Sequence, residues 1–370
     1  MLHSKSNAPR STPQTRLILY MIGHSPDSHY LRRLLSQVSQ TIDSVCFVNT
    51  DDSDDCLQVL EESGCAFEIE NHIFKSRADF DFSLVRNKAR EMAAKHDGWA
   101  MWLDCDDEIA SCNKLIAAID SHQSDVYGMR YDVGAQSQNL IKIRVHRAKD
   151  WRWVNKVHEE LMPVNGSIND KKISLLQDVF VKHSPDDDKS NHEFHIELLK
   201  KSSDGAASDF CYIAKEHFNL GRFKEAIPWI KKTLAIHDVG IEIYNCWMML
   251  GVSYSKIEEN EKAESAFLSG LRARPQRREA YYYMSEMCGR KGGSSNVKGL
   301  AYIRAANAQD DVSEPLQNGT IYNLNCYKLQ ARYLQSAGDH VAALETINRV
   351  EKKDDECFVI ESECKSNIKN

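Results

Sequence analysis

Asp104-Cys105-Asp106-Asp107-Glu108 sets four carboxylates within five residues, directly after the apolar run Trp99 to Leu103. Alternate residues of an extended backbone point the same way. Asp104 and Asp106 can therefore aim at one point while Cys105 turns toward the core. Carboxylate oxygens are hard ligands suited to Mg2+ or Mn2+, ions that often bridge protein carboxylates to substrate phosphates. A solvated acidic turn has the same composition; what separates the two is the position, because ligands of parallel sheets bind beyond the carboxyl ends of the strands. A second acidic cluster, Asn49 to Asp55, follows another apolar run in the same way. Lys142, Arg144, Arg147, Lys149, Arg152 and Lys156 form a basic stretch interleaved with Trp151 and Trp153. The alternation at Lys142 to Val145 reads first as a half-buried strand, and second as a donor or acceptor contact.

The elements that must position these groups alternate in type. Leu17 to Ile22 is a continuous apolar run, followed by a helix pattern over Ser28 to Gln40. Val45 to Val48 and Phe67 to Ile69 are further strands. Phe82 to His96 reads as a helix with Leu84, Ala89, Met92 and Ala93 on or near one face, with Asp79 and Asp81 suited to its N-terminal end. Trp99 to Leu103 is a fourth strand. Strands separated by helices imply parallel βαβ units. After Ser121 the strands Val126 to Asp132, Leu140 to His146 and Ser174 to Lys182 come in succession, which turns the sheet mixed. The class is α/β.

From about Asp209 the strand pattern stops and a repeat begins. Trp247, Leu250, Gly251, Tyr254, Ala263, Phe267 and Pro275 occupy the consensus positions of the 34-residue tetratricopeptide repeat. Phe210, Ile213, Ala214, Gly221, Ala226 and Ile230 mark a unit before it. Tyr281 and Met284 mark one after it, made irregular by Gly292-Gly293. Tyr327, Ala331, Gly338, Ala343 and Ile347 mark a fourth. Gly251 and Ala263 fall where two helices cross closely.

The chain is 370 residues long with a formal net charge of −7, so two domains are expected and a nucleic-acid or membrane-surface binder is not. No run approaches the ~20 apolar residues of a membrane span. Residues 1–15 read as a polar, flexible tail, and the odd number of scattered cysteines, 11, reads as reduced core thiols. Both point to a cytoplasmic protein. The expected organisation is a tail at 1–15, an α/β domain at 16–185, a linker with a helix at 186–208, repeats at 209–355 and a C-terminal tail at 356–370.

Several stretches together resemble a family. They are Tyr20-Met21-Ile22-Gly23-His24, Val48-Asn49-Thr50-Asp51-Asp52-Ser53-Asp54, Asp81-Phe82-Ser83-Leu84-Val85-Arg86-Asn87, Trp102-Leu103-Asp104-Cys105-Asp106-Asp107-Glu108, Val157-His158-Glu159 and His183-Ser184. In this order they are similar to the family 2 glycosyltransferases that carry C-terminal tetratricopeptide repeats. The resemblance implies a GT-A fold, Rossmann-like with a mixed sheet, and inverting transfer from a nucleotide-sugar, UDP-linked by preference. It implies a donor site of Asn49, Asp51, Arg86, Asn87 and Asp104, and Mn2+ or Mg2+ on Asp104, Asp106 and His183. The general base it implies is Glu159, with Asp107 as the rival. Asn49 stands where the family has an aspartate, Asp51 where it has a glycine, and the usual K-N-E after Ile22 is absent. The acceptor, a protein, peptide or glycan, is left open, and the repeats are expected to bind a protein or to self-associate. A degenerate domain serving as a binding platform is the alternative. A nucleotidyltransferase is the third, for which Gly23-His24-Ser25-Pro26 is a poor phosphate loop.

Overall fold

In the computed structural model the described residues are 15–121, 124–132, 140–184, 191–203, 205–236, 241–309 and 320–369. The tail expected at residues 1–15 lies almost wholly outside them. They divide into two compact units, meeting in sequence after Ser202.

The first unit is built on a mixed sheet. Its elements are β1 (Leu17–Gly23), α1 (Ser28–Val38), β2 (Ser44–Asn49), α2 (Asp55–Ser63), β3 (Phe67–Asn71), α3 (Phe82–Ala93), β4 (Trp99–Trp102), β5 (Asp107–Ala110), α4 (Leu115–Ser121), β6 (Val126–Asp132), β7 (Ile141–His146), β8 (Trp151–Val154), β9 (Glu160–Pro163), β10 (Ile173–His183) and α5 (His192–Ser202). The eight-stranded sheet runs β3-β2-β1-β4-β7-β6-β10-β5. β1 pairs in parallel with β2 and β4, and β2 with β3. β7 is antiparallel to both β4 and β6, β10 is parallel to β6, and β5 is antiparallel to β10.

The unbroken apolar run of β1 follows from burial on both faces. Leu17, Leu19 and Met21 pack into the core with α1, α2 and α4. Ile18 and Tyr20 pack on the other face with Val85 and Ala89 of α3 and Trp151 and Trp153 of β8. α3 is capped by Asp81, whose Oδ1 accepts the Leu84 amide at 2.9 Å and satisfies one of the unpaired N–H groups of the first turn.

The second unit is helical: α6 (Ala207–Asn219), α7 (Phe223–Ile236), α8 (Ile241–Lys256), α9 (Asn260–Ala273), α10 (Arg278–Lys291), α11 (Ser295–Asn307), α12 (Cys326–Ser336), α13 (His340–Ile347) and α14 (Asp355–Lys369). Helices α6–α7, α8–α9, α10–α11 and α12–α13 pack as successive hairpins, the tetratricopeptide-like arrangement. Gly221 and Gly338 end the first helix of their hairpins with φ of 71° and 80°, a left-handed conformation that glycine adopts without strain. A Cβ at Gly251 would run into the Phe267 ring, which is the close crossing expected there.

Three expectations need correction, and two features extend the reading. The acidic stretch ending at Asp55 does not stay a turn: Asp55 opens α2. Leu84 is 42% exposed, because Val85 and Arg86, one and two positions on, point inward instead. The short hairpin β8–β9 forms a separate two-stranded sheet. The helix expected within the 186–208 linker forms as α5, and it clusters with the first unit. Residues 356–370, expected as a tail, largely form α14, whose Cys357, Ile360 and Cys364 are buried against Ala331, Leu334 and Ile347. Among the described residues no helix is long and apolar enough to cross a membrane.

Candidate metal and phosphate site

The strand directions gather the candidate groups at one edge of the sheet. The carboxyl ends of β1, β2, β4, β6 and β10 share that edge with the amino ends of β7 and β5. Asp104 and Asp106 follow β4, Asp107 starts β5, and His183 ends β10 directly opposite Asp107 in register. The turn is closed on itself. Asp107 Oδ2 accepts the Asp104 amide at 3.0 Å, and the Asp107 amide donates to the Asp104 carbonyl at 3.1 Å. Arg33 of α1 ties it down, donating to the Asp106 carbonyl at 3.2 Å and pairing with Glu108 at 3.1 Å. Gly23 faces Cys105 because a Cβ there would lie 2.9 Å from its sulfur. Cys105 is thus turned inward, and Asp104 and Asp106 remain half-buried on the outer side.

Arg86 is the hub of one half of the site. Its side chain is 9% exposed and bridges two carboxylates, Nη2 to Asp104 Oδ1 at 2.5 Å and Nε to Glu159 Oε1 at 2.6 Å. The guanidinium lies between the rings of Trp102 and Trp153, 5.2 and 5.1 Å from their centroids, where cation–π attraction supplements the ion pairs. Burial works against ionising Asp104, but the field of Arg86, then of Arg144 and Lys142, outweighs it and holds the carboxyl well below the usual range. Glu159 sits in the β8–β9 connection, where Asn155 and His158 both take positive φ, 68° and 53°. Non-glycine residues there are uncommon. Asn87, one position on from Arg86, closes the other side. Its Nδ2 donates to the Trp153 carbonyl and its Oδ1 accepts the Trp153 amide, both at 2.9 Å. The amide imitates a neighbouring strand and fixes β8 to α3.

Asp106, Asp107 and His183 form the other half. Two carboxylate oxygens and one imidazole nitrogen lie within 4.8 Å of one another, a hard oxygen–nitrogen set of the kind that Mn2+ accepts. His183 Nδ1 is 3.3 Å from Asp107 Oδ1 and 3.6 Å from Asp106 Oδ1. Burial, aided by Asp104 and Asp107 and opposed by His183, pushes Asp106 up to about 6. The His183 imidazole is also raised: burial opposes its charged form, but the Asp107 hydrogen bond and the carboxylate field prevail. A proton shared in this acidic corner is what a divalent cation would displace.

Two further cations face the same carboxylates. Arg144 is fully buried, 3.1 Å from Asp107 Oδ2 and stacked 3.8 Å from the Trp102 centroid. Lys142, half-buried, holds its ammonium 4.3 Å over the Tyr131 ring. Burial and the nearby Arg144 lower its pKa. The alternation Lys142-Ile143-Arg144-Val145 is thus a real strand, β7, and it turns its basic side chains toward the site.

No sequence family matches this chain. No curated protein does either. Solved structures with a likeness to this chain include TPR-repeat proteins. They include MamA (13% identity, 48% of this chain and 92% of that one, TM-score 0.36). They also include the C-terminal part of a TPR repeat-containing protein from Cytophaga hutchinsonii (11%, 48% and 67%, 0.40) and a thermophilic TPR protein of Thermus thermophilus (15%, 48% and 89%, 0.35). The hairpin arrangement of the helical unit rests on its own helices.

The sequence-predicted residues therefore separate. Arg86, Asp104 and Glu159 come together, as do Asp106 and His183. Asp104 leaves the expected metal set, since Arg86 holds it, and Asp107 takes its place among the converging donors. Asp107 is at the same time an unsuitable general base: it is fully buried and engaged by Arg144 and the Asp104 amide. Asn87 is committed to Trp153, so it supports the wall of the site. Asn49 is 2% exposed and its Nδ2 donates to the Asp51 and Ser53 carbonyls at 2.9 and 3.0 Å. Asp51 accepts the Ser25 amide at 2.7 Å. Asn49 shapes the β2–α2 loop from within, while Asp51, which also accepts the Ser53 amide at 3.2 Å, ties that loop to the β1–α1 connection. Arg33 and the Trp102 ring were not singled out from sequence. Arg33 looks like any solvated helix arginine, and no spacing rule ties it to a turn 73 positions on.

Proposed function

We propose that this chain is a divalent-metal-dependent glycosyltransferase that uses a nucleotide-sugar, acting through a GT-A-like first unit. The observation that carries the reading is the convergence of Asp106, Asp107 and His183 beside the Arg86-bridged pair Asp104 and Glu159, at the strand ends where the topology opens a site. A divalent cation on Asp106 and His183, with Asp107 behind them, would neutralise the charge of a diphosphate leaving group. The remaining roles belong to side chains. Lys142 pairs with a phosphate oxygen. Asp104, kept ionised and oriented by Arg86, accepts a donor hydroxyl. Glu159 takes the proton of the acceptor hydroxyl as the new glycosidic bond forms and the diphosphate departs, a contribution of roughly 10²–10⁴ in rate. Glu159 must loosen from Arg86 to do so.

The helical unit supplies the partner or acceptor surface. A cleft between α8 and α10 is lined by Val252, Lys256, Tyr282, Tyr283, Glu286 and Arg290, a mixture of aromatic and charged groups that suits an extended peptide or a second copy of the repeat.

One arrangement favours a second reading. Glu159 is tied to Arg86, and Asn49 and Asp51 are spent on loop backbone, as a binding platform without turnover would allow. Nucleotide release from a panel of nucleotide-sugars with Mn2+, with and without oligosaccharide and peptide acceptors, separates the two. The enzyme reading expects release from at least one donor, reduced at least 100-fold in Glu159→Gln with donor binding retained. Donor binding without release would favour the platform. No donor binding at all would overturn both.

A further inference from the structure

Cys211 on α6 and Cys246 on α8 lie sulfur to sulfur at 3.6 Å, joining one helical hairpin to the next. All eleven cysteines are free thiols. Burial pushes the core thiols upward, those of Cys46, Cys56 and Cys326 to about 12. Cys211 differs. The hydrogen bond with Cys246 lowers it, burial opposes, and the ammonium of Lys215, one turn along α6, lowers it further against Glu242. Cys246 is fully enclosed and moves the other way, raised by its contact with Cys211 and by burial. Cys211 itself is half-buried. The pair thus combines a half-buried sulfur inclined to thiolate with a fully enclosed one at contact distance. Those are the features of an attacking and a resolving cysteine.

We propose that Cys211 and Cys246 are a reversible thiol–disulfide site, in which Cys211 reacts with a small disulfide such as oxidised glutathione and Cys246 resolves the adduct. The Cys211 thiolate attacks one sulfur of the small disulfide, forming a mixed disulfide and releasing one thiolate. Cys246 then loses its proton and attacks the Cys211 sulfur, forming the protein disulfide and releasing the second thiolate. Two protein thiols are oxidised, one small disulfide is reduced to two thiols, and the two protons lost by the cysteines end on the two released thiolates. A disulfide needs its sulfurs at about 2.05 Å, so side-chain rotation has roughly 1.5 Å to close. The product tethers α6 to α8.

Full-length protein treated with oxidised glutathione, acid-quenched and mapped by mass spectrometry tests this. Wild type is expected to give a Cys211–Cys246 cross-linked peptide that dithiothreitol reverses. Cys246→Ser is expected to stop with glutathione on Cys211. Cys211→Ser is expected to leave Cys246 at least tenfold less modified. A first cross-link between any other cysteines, an adduct on Cys246 of Cys211→Ser at the wild-type rate, or an unreactive Cys211 in folded protein whose urea-unfolded chain reacts would each overturn the proposal. The wild-type map and Cys246→Ser are each decisive alone, should Cys211→Ser fail to fold.

Discussion

Replacing Arg86 by alanine would leave Asp104 and Glu159 facing each other across a pocket walled by Trp102 and Trp153, with no cation between them. Removing one partner of a buried ion pair costs on the order of 3–5 kcal/mol, because the other charges stay desolvated. Arg86→Ala should therefore lower the urea unfolding free energy by about 3 kcal/mol, and Glu159→Gln in the same background should restore part of it. An unchanged midpoint would show that the triad carries little. The acidic corner makes a pH prediction of definite sign. Asp106 titrates near 6 when folded against about 4 in an unfolded chain. Between those values the folded chain holds a proton that the unfolded one has lost, so Asp106's contribution to stability falls as pH rises. His183, also raised, contributes stability at low pH that is lost as pH rises through its folded value. With a chelator present, wild type should be less stable at pH 8 than at pH 5 relative to Asp106→Asn. Parallel pH curves for the two proteins would contradict this. At this scale the sequence was legible in type more than in role. The carboxylates, Arg86 and His183 all stand out by type and position in the chain. That Arg86 engages Asp104, and that Asp107 lies buried against Arg144, depends on side chains brought together from the turn after β4 and from β5, β7 and α3.

Element by element, legibility followed periodicity. The long apolar runs of β1 and β2 and the capped helix α3 were readable because each signal lies within one segment. β5 is four residues long and begins inside an acidic run, so composition argued for a turn; its strand character comes from pairing with β10. The tail that became α14 is polar over most of its length and shows only Cys357, Ile360 and Cys364 toward α12 and α13, a stripe too narrow to stand out. In the repeats the opposite held, because a small residue has a geometric reason. Gly251→Ala should gain up to about 1 kcal/mol of helix propensity. It also drives a methyl group into Phe267, which is fully buried and cannot yield cheaply, an overpacking cost of about 1–3 kcal/mol. The expected outcome is net destabilisation of the helical unit by about 1 kcal/mol, read from far-UV circular dichroism on urea titration. A stabilised variant would mean that α8 and α9 part easily.

For the whole molecule, the chain divides into an α/β unit carrying the carboxylates and a helical unit carrying the cleft and the thiol pair. That division of labour predicts that changes in one unit leave the other's chemistry intact. The proposed function requires that the corner of Asp106, Asp107 and His183 take a divalent cation together with a nucleoside diphosphate. Full-length protein should be titrated with Mn2+ at pH 7.5, with and without UDP, and free Mn2+ followed by electron paramagnetic resonance. The expected result is one Mn2+ per chain, bound more tightly with UDP and at least tenfold more weakly by Asp106→Asn, with Gly251→Ala unaffected. No bound Mn2+, or equal binding by wild type and Asp106→Asn, would contradict it.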